Sequence, residues 1–465
     1  MEKKTTRPPI VAVLGHVDHG KTTLLDAIRH SNIATREAGG ITQSIGASVV
    51  TSKSEKKITF IDTPGHAAFS AMRGRGANVA DIALLVVGAD DGVKPQTKEA
   101  LTLIKEAKIP FIVVATKMDL PSAEVETVYS QLEKEGVLFE GRGGDTPLTP
   151  VSAKKNEGID KLLEMISLLA EINEIKEAVS DSLSAVVIET GRSKAGPQAS
   201  VIVRSGKLVV GEAVYAQEVQ SKIKALFDSQ GKSVREILPG EPALVLGLSE
   251  VPPVGTTLSD KPFSASFLGR EKQKIGKLAK DEIAVFLKAE SEGALEALLS
   301  SLPPKVVVLG ASVGEVTTSD VLSAKGSNAL IFVFEAKIPK EVGKFAETEG
   351  VRVERFQIIY ELIQRLEEIL KKGLMVVAGR AEVLASFPFN NQKIAGCKVI
   401  EGKITKGDAI ILMRADKEVG KTKITSMKKQ KQEITEAKAG EEFGAILFPQ
   451  LDFQIGDVLL SATNG

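Results

Sequence analysis

Gly15-His16-Val17-Asp18-His19-Gly20-Lys21-Thr22 is a stretch whose residue types and spacing suit the holding of phosphate. It follows the apolar run Ile10 to Leu14 and precedes a helix-like segment, Thr23 to Arg29. Gly15 and Gly20 let the backbone fold tightly, so that successive N–H groups face phosphate oxygens and the helix N-terminus adds favourable partial charge. Lys21 would reach the β and γ phosphates, and the Thr22 hydroxyl would sit on Mg²⁺. Thr23 opens the helix and is counted with the same binding run.

Four further segments follow in the order that a guanine-nucleotide switch requires. The polar loop Ala38-Gly39-Gly40-Ile41-Thr42-Gln43-Ser44 offers Thr42 as a second hydroxyl for the metal, in a loop of the kind that a γ phosphate orders. The run Ile58 to Ile61 ends in Asp62-Thr63-Pro64-Gly65-His66, which puts a carboxylate near the metal's water shell and the Gly65 N–H near the γ phosphate. After a strand at Ile82 to Val87, another from Phe111 to Ala115 runs into Thr116-Lys117-Met118-Asp119. Asp119 can accept from both N1–H and the 2-amino group of guanine, whereas adenine has neither donor. Val151-Ser152-Ala153-Lys154 closes the set with backbone N–H for the guanine O6. The expected cofactors are GTP or GDP with Mg²⁺, held by Thr22, Thr42 and, through water, Asp62. All four histidines lie in the first 66 residues, and His66 is the catalytic candidate because its Asp-x-x-Gly segment brings it close to the γ phosphate. His30 is the bystander.

The elements that must position these groups form a chain of 465 residues, long enough for three or four domains. The single Cys397 excludes an internal disulfide, and no apolar run reaches spanning length. A cytoplasmic monomer without membrane attachment is therefore expected. Lys plus Arg equals Asp plus Glu at 60 each, so any contact with RNA must come from a local patch. One exists, since Lys421 to Lys431 holds Lys421, Lys423, Lys428, Lys429 and Lys431 with no acidic residue. A lysine run is often only a solvated face.

Beyond the nucleotide motifs the chain repeats a module. Gly206 to Val214 lines up with Gly402 to Ile410, Gly240-Glu241 with Gly440-Glu441, and Gly255-Thr256-Thr257-Leu258 with Gly456-Asp457-Val458-Leu459. Short alternating strands with glycine turns predict small closed β structures. Between the copies, strands at Ile283 to Lys288, Lys305 to Ala311, Ala329 to Glu335 and Val351 to Phe356 alternate with helices at Ala294 to Leu302, Thr317 to Ser323 and Lys340 to Glu349. An amphipathic helix from Ile358 to Lys372 follows, a lever between the middle domain and the last barrel. The fold is thus α/β: a P-loop GTPase domain (1–173), a β-barrel (174–262), a small α/β domain (263–356), a connecting helix (357–372) and a second β-barrel (373–465).

Arg7-Pro8-Pro9, Gly15 to Thr23, Gly39-Gly40-Ile41-Thr42-Gln43 and Asp62 to Met72 together resemble bacterial translation initiation factor two, and the resemblance covers essentially the whole chain. It implies a GTP-dependent factor that brings formyl-methionyl initiator tRNA to the small ribosomal subunit, promotes joining of the large subunit and then hydrolyses GTP. It also implies that Val17 and Ile41 form an apolar gate beside His66, whose imidazole turns toward the attacking water only on the ribosome. By the same resemblance Cys397, Lys428, Lys429, Lys431, Glu442, Phe443 and Gly444 stand where the family holds the acceptor end and the formyl-methionyl group. The chain departs from the family at Ser44 (usually His), Thr116 (usually Asn), Gly74 (an Ala), Gln430 (usually aromatic or apolar) and Phe443 (usually Cys). Loss of the asparagine is expected to loosen the tie between base loop and phosphate loop. The family's long N-terminal extension is absent, so weaker anchoring to the small subunit is expected. Two alternatives stay open: another translational GTPase, such as an elongator-tRNA or selenocysteine-specific factor, and a ribosome-binding or assembly protein without initiator recognition.

Overall fold

The computed structural model describes residues 7–29, 42–175, 182–193, 195–263, 282–372, 375–389, 392–414, 417–429 and 432–464. His30, the loop residues Ala38 to Ile41, Gln430 and Lys431 lie outside the described residues. The chain divides into two compact units, residues 1–363 and 364–465. Among the described residues no helix is long and apolar enough to cross a membrane.

The first unit begins with a sheet of six strands: Ile10–Gly15 (β1), Gly46–Thr51 (β2), Lys57–Asp62 (β3), Ile82–Gly88 (β4), Phe111–Thr116 (β5) and Leu148–Pro150 (β6). Their order is β2-β3-β1-β4-β5-β6. Only β2 runs antiparallel to its neighbour. β1, β4 and most of β5 are apolar throughout and buried, as strands covered on both faces must be. β2 follows the polar loop Ala38 to Ser44, in a stretch where no strand was read from the sequence. It is an edge strand with half-buried side chains, so it carries little hydrophobic signal.

Five helices flank the sheet: Lys21–Arg29 (α1), Ser70–Val79 (α2), Pro95–Ala107 (α3), Val125–Lys134 (α4) and Ile159–Ile172 (α5). Leu24, Leu25 and Ile28 of α1 and Leu162, Leu163 and Ile166 of α5 join Val11, Val13, Phe60, Leu84 and Val86 in one core. Each such fully buried side chain contributes about 2 kcal/mol over leaving it in water. Arg7 donates two hydrogen bonds to the buried Asp81, at 2.6 and 2.7 Å, and the Ile10 N–H donates a third at 2.8 Å, which anchors the start of β1.

A first barrel follows. Strand Ser184–Ser193 pairs with Gly196–Ser205 on one side and Thr257–Ser259 on the other. The ring continues through Pro242–Leu246 to Ala225–Phe227, and through Ala213–Ala216 to Val219–Lys222. It closes because Val219–Lys222 runs on into Ala225–Phe227. A parallel four-stranded sheet comes next, in the order Val306–Val313, Ile283–Ala289, Leu330–Phe334, Val353–Phe356. Its helices are Glu292–Ser301 (α6), Thr318–Gly326 (α7) and Lys340–Thr348 (α8). α6 is capped by the Ser291 hydroxyl and α7 by a Thr317/Asp320 capping box. Helix Ile359–Lys372 (α9) begins in this unit, with Ile359, Leu362, Leu366 and Ile369 as its buried stripe.

The second unit is a closed barrel of six strands: Met375–Phe389, Val458–Asn464, Ala409–Arg414, Lys417–Lys429, Glu442–Phe448 and Gln392–Thr405, the last pairing back with the first. It repeats the first barrel down to its turns. Gly206, Gly211, Gly240 and Gly255 have φ of 63, 95, 83 and 86°, and their counterparts Gly402, Gly407, Gly440 and Gly456 have 68, 99, 87 and 92°. These are left-handed backbone positions that glycine adopts without strain. Three of the four N–H groups donate equivalently: Gly211 to Ile223 O and Gly407 to Ile424 O, Gly240 to Val203 O and Gly440 to Val399 O, Gly255 to Val187 O and Gly456 to Val383 O.

The mid-helix Gly74 of α2 has room for a methyl group, because a Cβ there would meet only Leu103 Cδ2 at 3.8 Å. Gly74→Ala is therefore expected to stabilise the GTPase portion by about 1 kcal/mol. Urea unfolding followed by helical circular dichroism checks this, and a lower midpoint would contradict it.

Candidate guanine-nucleotide site

The carboxyl ends of β1, β3, β5 and β6 deliver most of the candidate residues to one edge of the sheet, where open parallel sheets bind ligands. A cavity of about 740 Å³ lies there. Its lining includes Val17, Asp18, Gly20, Lys21, Thr22 and Thr23 from the phosphate loop, and Thr42, Gly65 and His66 from the two candidate switches. Thr116, Lys117, Asp119, Ala153 and Lys154 line the end toward the base. Two lining residues, Leu120 and Tyr360, were missed by sequence reasoning. Leu120 was findable as the residue next to Asp119. Tyr360 was not, since it comes from the first turn of α9, some 290 positions away from His66 in the chain.

Gly15, His16, His19, Asp62 and Ser152 stand behind the lining. A Cβ on Gly15 would lie 2.3 Å from the Val86 carbonyl oxygen, so the loop leaves β1 against β4 with no space for a side chain. The Lys21 Nζ donates to His16 O at 2.6 Å across the loop. A Cβ on Gly65 would lie 2.4 Å from that same Nζ and 3.0 Å from the Val17 N, so the second switch packs closely on the phosphate loop. Thr22 and Thr42 bring their hydroxyl oxygens within 2.7 Å of each other. Asp62 is buried at the end of β3. Among the described residues no cluster of three His, Cys, Asp or Glu side chains could hold a metal by itself.

The base end is organised by side-chain bonds. Ser152 Oγ donates to Asp119 Oδ1 at 2.9 Å and holds that carboxyl below its usual range, so Asp119 is an acceptor. Lys117 pairs with Asp90 at 2.9 Å. The Thr116 hydroxyl donates to the His19 carbonyl at 2.6 Å, with the Val87 carbonyl at 3.2 Å. The tie between base loop and phosphate loop is therefore made with threonine. The shorter side chain reaches His19 O from the end of β5.

His19 is almost fully buried, and burial first, then His16, Lys117 and Lys21, lower it to about 4. Its imidazole is neutral packing at ordinary pH. Arg73 of α2 is wholly buried and fixes the second switch by donating to Pro64 O at 3.1 Å, His66 O at 2.5 Å and Glu99 at 2.7 Å. His66 Nδ1 accepts from the Ala68 N–H at 3.1 Å and caps the short turn Ala67–Phe69. Burial, then Arg73, hold its imidazole below the usual value.

In the second unit, Cys397 and Phe443 face each other on neighbouring strands and are both buried in the barrel core. Burial pushes the Cys397 thiol up to about 12, so it is no nucleophile. Both side chains form the barrel wall beneath the surface. Gly444 pairs with Gly396 and with Lys428. Lys428, Lys429 and Glu442 are exposed, with Lys429 paired to Glu441 at 2.8 Å. Phe387, another exposed side chain, brings its ring within 3.1 Å of where a Cβ on Gly396 would sit.

This fold and this site define a translational GTPase. The model of the elongation factor Tu GTP binding domain matches residues 6–172, elongation factor G domain 2 matches 182–261, translation-initiation factor 2 matches 261–367 and elongation factor Tu domain 2 matches 392–460. Translation initiation factor IF-2 of Thermoanaerobacter sp. (strain X514) is 40% identical, over 97% of this chain and 70% of that protein. The same factor of Dehalococcoides mccartyi (strain CBDB1) is 39% identical over 97% of this chain and 82% of its own length, and that of Kosmotoga olearia 40% over 97% and 70%. The chain belongs to the translation initiation factor IF-2 family.

Burial lowers the Lys21 ammonium from 10.5 to about 8. Its charge is complete below that value and lost as pH rises through it, while a bound phosphate favours the charged form. Affinity for GDP is expected to fall by up to about tenfold per pH unit above roughly pH 8, with proton uptake on binding. Calorimetry in buffers of different ionisation enthalpy checks this. Lys21→Arg should remove the step near pH 8, leaving only the loss of the guanine N1–H at higher pH.

Proposed function

We propose that this protein works in the cytoplasm as a monomer, bringing formyl-methionyl initiator tRNA to the small ribosomal subunit, promoting subunit joining and hydrolysing GTP when the ribosome triggers it. One observation carries the reading: a single cavity gathers Lys21, Thr22, Thr42, Gly65, Lys117, Asp119 and Ala153 in a chain of the IF-2 family. In this reading the loop Gly15 to Thr23 binds the phosphates. Asp119, with Thr116, Lys117, Ser152, Ala153 and Lys154, selects guanine. Thr22 and Thr42 are suited to hold Mg²⁺ and Asp62 to hold its water, because the two hydroxyls already converge within 2.7 Å. Bound there, the ion offsets charge on the β and γ phosphates. His66 is the catalytic residue for the attacking water, and the rest of catalysis is positioning and charge stabilisation.

The tRNA is assigned to the last of the divisions 1–173, 174–262, 263–356, 357–372 and 373–465. Lys428, Lys429 and Lys431 contact phosphates, and Glu442 and Phe387 lie on the surface next to the amino acid. Cys397, Phe443 and Gly444 act from beneath by shaping the wall. A ribosome-associated GTPase without initiator specificity is the second reading, favoured by Phe443 filling core volume where the family usually has cysteine.

Filter binding of the full chain to formylated and unformylated initiator tRNA separates the two. Preference for the formylated form is expected, and equal affinity would leave only the second reading. Lys428→Ala with Lys429→Ala should weaken binding to any tRNA and reduce the slope of log affinity against log salt by roughly 0.7 to 0.9 for each phosphate that is no longer neutralised. His66→Ala should keep GTP affinity within about twofold while ribosome-stimulated hydrolysis falls by about 10² or more. Equal loss of binding and hydrolysis would remove His66 from its role.

A further inference from the structure

Both candidate switches touch the same turn of one helix. Gln43, next to Thr42, donates from Nε2 to Gln357 O at 2.7 Å and to Glu335 Oε1 at 3.2 Å, and its Oε1 accepts from the Ile359 N–H at 3.2 Å. It thereby satisfies an orphan N–H at the start of α9. One residue further on, Tyr360 sets its ring edge-to-face against His66, with centroids 4.2 Å apart and an interplanar angle of 85°. Tyr360 lines the nucleotide cavity and is about half exposed, at 48%.

The imidazole it touches is in a particular protonation arrangement. A neutral ring whose Nδ1 accepts from Ala68 N–H carries its proton on Nε2. In that tautomer Nε2 can donate but offers no lone pair to a water. The capped ring is chemically unable to act as a base, and Tyr360 packs against it in that position.

We propose that Tyr360 is a positioning residue for His66, holding the imidazole in its capped, non-basic arrangement until the first turn of α9 leaves the cavity. The inference rests on the assignment of His66 to the attacking water. Gln43 supplies the link to nucleotide state. Gln43, beside Thr42, holds the turn that carries Tyr360 through its three hydrogen bonds. The two switches thus act on one restraint, and hydrolysis in the free protein is slow because the restraint is intact.

Single-turnover hydrolysis of GTP by the full chain without ribosomes tests this. At saturating GTP, Tyr360→Ala is expected to raise the rate about three- to tenfold, the range over which one aromatic pair can bias an equilibrium. Tyr360→Phe keeps the ring and should restore the restraint. Adding His66→Ala to Tyr360→Ala should abolish the gain, which a general loosening of the fold would not. An unchanged rate in Tyr360→Ala, or a gain that survives His66→Ala, overturns the proposal. Ribosome-stimulated hydrolysis by His66→Ala alone tells the two failures apart. If that hydrolysis is lost while Tyr360→Ala behaves as the parent, only the restraint is wrong; if it is kept, the assignment of His66 falls and the restraint with it.

Discussion

The register of five parallel strands is the constraint on which the rest of the first unit depends. Val13 stands beside Asp62, Gly15 beside Val86, Gly88 beside Thr116, and Ala115 beside Pro150. Because these strands are covered on both faces, slipping one by a residue would turn its whole buried set over. The loops that leave their carboxyl ends are therefore held to one line, and the groups for phosphate, metal, water and base share a single cavity. Local loop chemistry only refines that placement, as when Thr116 bonds to His19 O or Ser152 to Asp119.

Two buried cations show how the site differs from its support. Arg73 has carbonyl acceptors at Pro64 and His66 and a carboxylate at Glu99. It is compensated, as a buried charge must be to remain charged without large cost. Lys21 has a single carbonyl, that of His16, among its described hydrogen bonds, and burial lowers its ammonium. Arg73 is thus a structural clamp on the second switch, while Lys21 carries a charge that a phosphate group would stabilise. The difference lies in the number of acceptors rather than in depth, since both side chains are buried.

The same distinction explains what could be read in the sequence. Residues of the phosphate loop, Asp62 to His66 and Thr116 to Asp119 were legible because their chemistry is local: each motif is a short run whose spacing fixes its geometry. The middle sheet was legible from its alternation of apolar runs and helical stretches, to within a few residues at each boundary. β2 was hidden because an edge strand with half-buried residues shows no strong period. The Thr116 bond to His19 O was not readable, because whether a hydroxyl reaches that carbonyl depends on a distance that sequence does not encode. Tyr360 was invisible for a stronger reason, being brought to His66 by the packing of the middle sheet on the GTPase portion.

The duplicated barrel shows how one architecture is given two uses by a few positions. From the shared turns, Glu189 of the first barrel is equivalent to Ala385 of the second, and both follow a register shift in the same strand pair. The buried Glu189 carboxylate accepts from the Gly293 N–H at 3.1 Å at the start of α6, and burial raises its pKa. A helix N-terminus favours a carboxylate there, so this residue ties the first barrel to the middle sheet. Alanine at the equivalent place in the second barrel makes no such bond. The strand that is broken in the first barrel, as Val219–Lys222 and Ala225–Phe227, is instead continuous over Lys417–Lys429 in the second. At its end Lys428 and Lys429 pair with Gln432–Glu433, as Leu226 and Phe227 pair with Ser233–Val234 in the first barrel, so the difference there is the exposed lysines and not the pairing. One copy therefore spends a variable position on internal docking, while the other sets exposed lysines at the end of the equivalent strand.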